Sequence, residues 1–171
     1  MLRTLKHSVN RELLLSVYFA YVFSIIKFGI IFWGNSVHWN KIFKLQKLCI
    51  RIIAGAAPRA HCRQLFKKFN LLTVTDIYIL ECTTFVKANF DLFKINNLHG
   101  HNTRFCNKLL INKNSLEVAH RGARNAMIRM YNKLPVEITN TDNIKSLESS
   151  LKTFLRKEHT IIWRSFLYNS Y

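Results

Sequence analysis

The 171-residue chain is 49% apolar with only 5 Gly and 2 Pro, which excludes a disordered or low-complexity protein and allows one domain, or a small domain plus an appendage. Its 26 Lys and Arg against 9 Asp and Glu give a net charge of +17, and the layout is one-sided: residues 13–75 hold nine Lys or Arg and no acid, and residues 92–116 are also acid-free. Such runs exclude a balanced mixed-charge surface and point to a polyanionic partner, nucleic acid before an acidic membrane face.

The first element is "LLLSVYFAYVFSIIKFGIIFW", residues 13–33, with one charge, Lys27, in 21 positions. A helix of that length spans roughly 31 Å, close to the roughly 30 Å of a bilayer's hydrocarbon. Three features weigh against a membrane span. A Lys inside it costs about 2.5–3.5 kcal/mol at the centre. Arg3, Lys6 and Arg11 before it, and Lys41, Lys44 and Lys47 after it, give no orientation bias. Ser16, Ala20, Ser24 and Lys27 form a narrow small-polar strip for a solvent-facing edge. A buried helix of a bundle, ending near Gly34-Asn35, is therefore the expectation ahead of a span. No small-x-small cleavage site follows, so a signal peptide fits worse.

The next helix occupies residues 39–54, closed by Gly55 and Pro58. Within it, Lys41, Lys44, Lys47 and Arg51 recur so that four cations share one side, and Ile42, Leu45, Cys49, Ile52 and Ile53 are expected on the other. In "PRAHCRQLFKKFN" the positions of Cys62, Leu65, Phe66 and Phe69 make an apolar stripe, with Arg63, Lys67 and Lys68 turned away and Asn70 ending the helix. Thr73 and Asp76 then read as a capping pair opening an apolar helix that reaches about Phe90. Residues 94–120 lose all periodicity and read as an exposed connector, with a short strand at "KLLIN". From about Gly122 a short helix turns Met127, Met130, Tyr131 and Leu134 inward and stops at Pro135. A last helix, 143–157, carries Ile144, Leu147, Leu151, Phe154 and Leu155 on one stripe.

Chemical motifs are sparse. Cys49, Cys62, Cys82 and Cys106 are well separated, without a CxxC pair, and read as reduced thiols of an intracellular protein. His99, His101 and Cys106, even with His61 and Cys62 added, lack the spacing of a structural zinc site. No Gly-rich phosphate loop occurs.

Five strings stand in series: "FGIIFWGNS" (28–36), "IFKLQKLCIRIIAG" (42–55), "CRQLFKKFNLLTVTDIYILE" (62–81), "HNTR" (101–104) and "MYNKLPVEI" (130–138). In this order and spacing they resemble the region following the catalytic palm in the RNA-directed DNA polymerase of jockey-like non-LTR retrotransposons. The resemblance covers residues 2–155. It implies a thumb-like helical extension that grips a template–primer duplex beside an upstream polymerase core. One departure is decisive for activity. Such polymerases hold two Mg²⁺ with carboxylates, largely an adjacent Asp pair, and no two acids are adjacent in this chain. The expectation is a chain that is not an enzyme by itself and uses Mg²⁺ only through a core supplied elsewhere.

The expected fold is all-α: an irregular thumb-like helical bundle over 1–93, a connector over 94–120 and a C-terminal helical segment over 121–171. The expected ligand is the backbone of an RNA–DNA or DNA duplex, bound without sequence preference by Lys41, Lys44, Lys47, Arg51, Arg63, Lys67, Lys68 and Arg104. Two alternatives stand beside this reading: a membrane-associated basic protein spanning at 13–33, and a non-functional remnant exposing a former interdomain surface.

Overall fold

The computed structural model describes residues 1–93, 108–111, 122–141 and 143–158. These are helices joined by tight turns, with no strand among them, so the fold is all-α. Where a strand is expected at "KLLIN", the described Lys108–Ile111 show an isolated bridge residue at Leu109 and no extended strand, and Asn112 lies outside the described residues. The chain divides into two compact units, Met1–Tyr78 with Leu155–His159, and Ile79–Phe154.

The first unit opens with α1 (Leu2–Leu5) and α2 (Arg11–Val17). Asn10 caps α2, its side-chain oxygen accepting from the Leu13 N–H at 2.9 Å. The helical backbone continues through a π-helical stretch, Tyr18–Phe23, into α3 (Ser24–Lys27), and the Ser24 hydroxyl donates back to the Ala20 carbonyl.

The single helix expected to reach Gly34 ends early. Phe28 is extended, with ψ 117°, and Gly29 is left-handed at φ 61°, a conformation in which a Cβ costs roughly 1–2 kcal/mol. A one-turn helix, α4 (Ile30–Trp33), follows, and the Trp33 indole N–H fastens the turn by donating to the Phe28 carbonyl at 3.0 Å. Leu14, Tyr18, Ile26 and Ile30 are buried, but Ile25, Phe28 and Phe32 stand in solvent. The segment is thus half-exposed rather than buried. The strip of Ser16, Ala20, Ser24 and Lys27 is exposed as expected. Among the described residues no helix is long and apolar enough to cross a membrane.

α5 (Trp39–Ala54) ends where the sequence indicates, with Gly55 at φ 67° and the Ala56 N–H returning to the Arg51 carbonyl at 3.0 Å. α6 (Arg63–Lys68) closes on Asn70, left-handed at φ 57°. α7 (Val74–Ala88) begins with the expected reciprocal cap: the Thr73 N–H donates to the Asp76 carboxylate at 2.9 Å and the Asp76 N–H to the Thr73 hydroxyl at 3.2 Å.

Leu14, Tyr18, Ile50, Ile53, Phe66 and Leu71 anchor the core of this unit. One polar side chain is built into it. The Gln46 amide NH₂ donates to the Tyr18 hydroxyl and to the Leu72 carbonyl, both at 2.9 Å, while its oxygen accepts from the Val74 N–H at 3.0 Å. Segments far apart in sequence are thereby pinned to α5.

In the second unit, α8 (Ala123–Lys133) buries Met127, Met130 and Tyr131 as expected and leaves Arg124 outside. The Asn132 side chain clamps Leu109, donating to its carbonyl and accepting from its N–H, each at 2.9 Å. After Pro135 comes a helical turn, α9 (Val136–Thr139), whose Thr139 carbonyl accepts from the Lys87 ammonium at 3.2 Å. α10 (Ile144–Glu158), whose last turn from Leu155 belongs to the first unit, buries Leu147, Leu151 and Leu155 along its stripe, while Ile144 is partly exposed.

Candidate nucleic-acid interface

The candidate site begins with α5, a 16-residue helix amphipathic because Gln46, Ile50 and Ile53 all face the core. At about 100° per residue, Lys41, Lys44, Lys47 and Arg51 fall within an arc of about 120°, so the sequence periodicity survives folding. Their roles nevertheless divide. Lys41 and Lys44 are exposed. The Lys47 ammonium lies over the Phe43 ring, 4.0 Å from its centroid, an arrangement worth roughly 0.5–1 kcal/mol near a surface. The Arg51 guanidinium donates through Nε to the Ala60 carbonyl at 3.0 Å and so holds the turn joining α5 to α6. Two of the four expected phosphate ligands are therefore engaged in the fold.

The opposite wall also differs from expectation. Ile53 is buried and Ile42, Cys49 and Ile52 are half-buried, but Leu45 is 61% exposed. The reason is angular: Leu45 and Leu48 lie one and two turns from Lys41 on the same side (i+4 and i+7), not opposite it. The solvent face of α5 mixes the two: Leu48 falls between Lys41 and Lys44 and Leu45 just beyond Lys41, while the cationic edge continues through Lys47 and Arg51.

α6 lies along the cationic edge. Phe66 packs on Phe43 with ring centroids 6.1 Å apart, and the Cys62 thiol approaches the Lys47 carbonyl at 3.8 Å. Cys62 and Phe66 are buried and Leu65 and Phe69 half-buried, which leaves Arg63, Lys67 and Lys68 exposed, as their spacing indicates. Five cations, Lys41, Lys44, Arg63, Lys67 and Lys68, thus stand in solvent on two adjoining helices. Among the described residues none of them is drawn against a carboxylate. Arg104 lies outside the described residues.

Burial also acts on two side chains on the core side of α5. It pushes the Tyr18 hydroxyl up to about 12, the Gln46 hydrogen bond opposing the shift, and it raises the Cys49 thiol. Cys49 and Cys62 are free thiols. Neither Tyr18 nor Cys49 is poised as a nucleophile at neutral pH. Among the described residues no three His, Cys, Asp or Glu side chains gather as metal ligands would, and His99, His101 and Cys106 lie outside those residues. The arrangement presents a surface of one charge sign that can bind a polyanion.

Sequence reasoning missed the exposed apolar side chains Phe28, Phe32, Val37, Leu45 and Leu48. Gly29 was the available signal, since a glycine followed by an apolar turn can reset which face points inward. No protein-family model, curated protein or solved structure matches the chain.

Proposed function

We propose that the α5–α6 pair binds the sugar–phosphate backbone of duplex nucleic acid without reading base sequence. The observation that carries this is the set of five solvent-exposed cations on adjoining helices, inside a 63-residue stretch, 13–75, that contains no acid. Lys and Arg displace condensed counterions from phosphate, which supplies affinity but no sequence information. The resemblance to the post-palm region of jockey-like polymerases supports the same reading. It makes an RNA–DNA template–primer duplex the expected ligand and a separate polymerase core, with its own Mg²⁺-binding carboxylates, the expected partner. By itself the chain supplies grip and no catalysis.

Fluorescence anisotropy on a mixed-sequence duplex across a salt series tests this. If all five cations engage phosphate, log K against log[salt] has a slope of roughly −4.5. Reversing Lys44, Lys67 and Lys68 to Glu should abolish binding at moderate salt, while Lys145→Glu, at an exposed position on α10, should not. Undiminished binding by the triple variant would remove α5–α6 from the interface.

A further inference from the structure

The turn between α3 and α5 carries side chains that the proposed nucleic-acid face does not use. Ile25, Phe28, Phe32 and Val37 are 71%, 84%, 83% and 89% exposed. Values this high mean that the side chains protrude; side chains seated in a groove would be half-covered. The protrusion is built in. The left-handed Gly29 breaks the helix, and the Trp33 indole bond to the Phe28 carbonyl fixes the turn with both phenyl rings outward. Ile25 and Phe28 precede that break and Phe32 and Val37 follow it, so the apolar tips stand astride a single bend.

Charge narrows what can cover this knob. The exposed Lys27 stands beside Phe28, Lys41 and Lys44 follow Val37, and no acid occurs within residues 13–75. A second copy of the chain would bring two cationic rims together, which opposes self-association. Nucleic acid would satisfy the lysines and offer Phe28 and Phe32 bases to stack on, but it gives Ile25 and Val37 no partner. An anionic bilayer satisfies both halves, taking apolar tips below the headgroups and cations at them.

We propose that residues 25–37 form an insertion knob by which the protein adsorbs to anionic phospholipid membranes without crossing them. Its apolar tips lie outside the duplex-binding face, while its cationic rim shares Lys41 and Lys44 with that face, so the phenyl rings are what the test must separate. The test is flotation of the full chain with vesicles of phosphatidylcholine alone and with about one-third phosphatidylserine. Wild type should float with the anionic vesicles at least tenfold more than with neutral ones. Phe28→Ser/Phe32→Ser should lose at least tenfold of that partition while keeping its far-UV circular dichroism and its duplex affinity. A Phe28→Trp variant should be quenched by bromine-labelled acyl chains. The proposal is overturned if wild type does not float, or if the double Ser variant floats unchanged. It is equally overturned if light scattering shows a dimer that the Ser pair dissolves, or if that pair loses duplex affinity to the same extent.

Discussion

Replacing Gln46 by Met keeps side-chain length and volume but removes every polar contact of the residue that ties Tyr18, Leu72 and Val74 to α5. Three buried hydrogen bonds are lost, at about 0.5–1.5 kcal/mol each. The Leu72 carbonyl and the Val74 N–H are then stranded, since both residues are buried. Stranded groups add desolvation costs of about 1–3 kcal/mol each, so the expected loss is at least about 3.5 kcal/mol. Against a typical total of about 5–15 kcal/mol this is a large fraction. Urea unfolding followed at 222 nm measures it, read as a lower midpoint at unchanged slope. Tyr18→Phe is the companion. It should cost only about 1 kcal/mol in the wild type, because Gln46 keeps its two backbone partners, and close to nothing when Gln46→Met is already present. That non-additivity is the signature of a shared network. A Gln46→Met loss below about 1 kcal/mol, or full additivity with Tyr18→Phe, would refute the network as the pin of this unit.

Tyr18 also supplies a pH prediction. Its hydroxyl is raised from 10.0 to about 12 in the folded protein by burial, so between those values the unfolded chain ionises while the folded one stays protonated. Stability is then intact below pH 10 and falls by about 2–3 kcal/mol as pH rises through that window; absorbance at 295 nm should show a late-titrating component that Tyr18→Phe removes, beside that of Tyr131, also raised by burial. Gly34→Ala would place a Cβ in the Tyr78 ring and 2.6 Å from the Ile30 carbonyl, so a loss of about 2–3 kcal/mol is expected in thermal unfolding. Lys44→Met should flatten the duplex salt slope by about 0.9, whereas Arg51→Met should leave the slope and lower the melting temperature. Asn132→Ala leaves both Leu109 backbone groups without their clamp and should speed amide exchange at Leu109 by at least tenfold, with little change in far-UV circular dichroism.

What was legible in the sequence follows the range of the interaction. Helix ends written in local chemistry were readable: the Thr73–Asp76 cap, Gly55 after α5 and Asn70 after α6 each act within a few residues. The outward cations of α6 were readable because its stripe is short and unambiguous. The Phe28–Gly29 break was not, since an isolated glycine in an apolar run is compatible with a continuous helix, and only packing of Ile26 and Ile30 into the core selects the kink. Leu45 was misplaced because the apolar positions on α5 span more than half its circumference, and the core takes only one part of that arc. Lys47 and Arg51 carry the period of phosphate ligands, yet their partners, Phe43 and Ala60, became visible only once α5 and α6 were placed together. The Gln46 and Asn132 contacts reach across 28 and 23 residues and leave no local trace.

The left-handed dihedral at Gly29 has a consequence during synthesis. The turn is held by the burial of Ile26 and Ile30, and until α5 supplies Ile50 and Ile53 for Leu14 and Tyr18 to pack on, the apolar run from Leu13 to Trp33 has nothing to cover it. Docking of α5 therefore competes with aggregation, and its speed sets the yield of the folded unit.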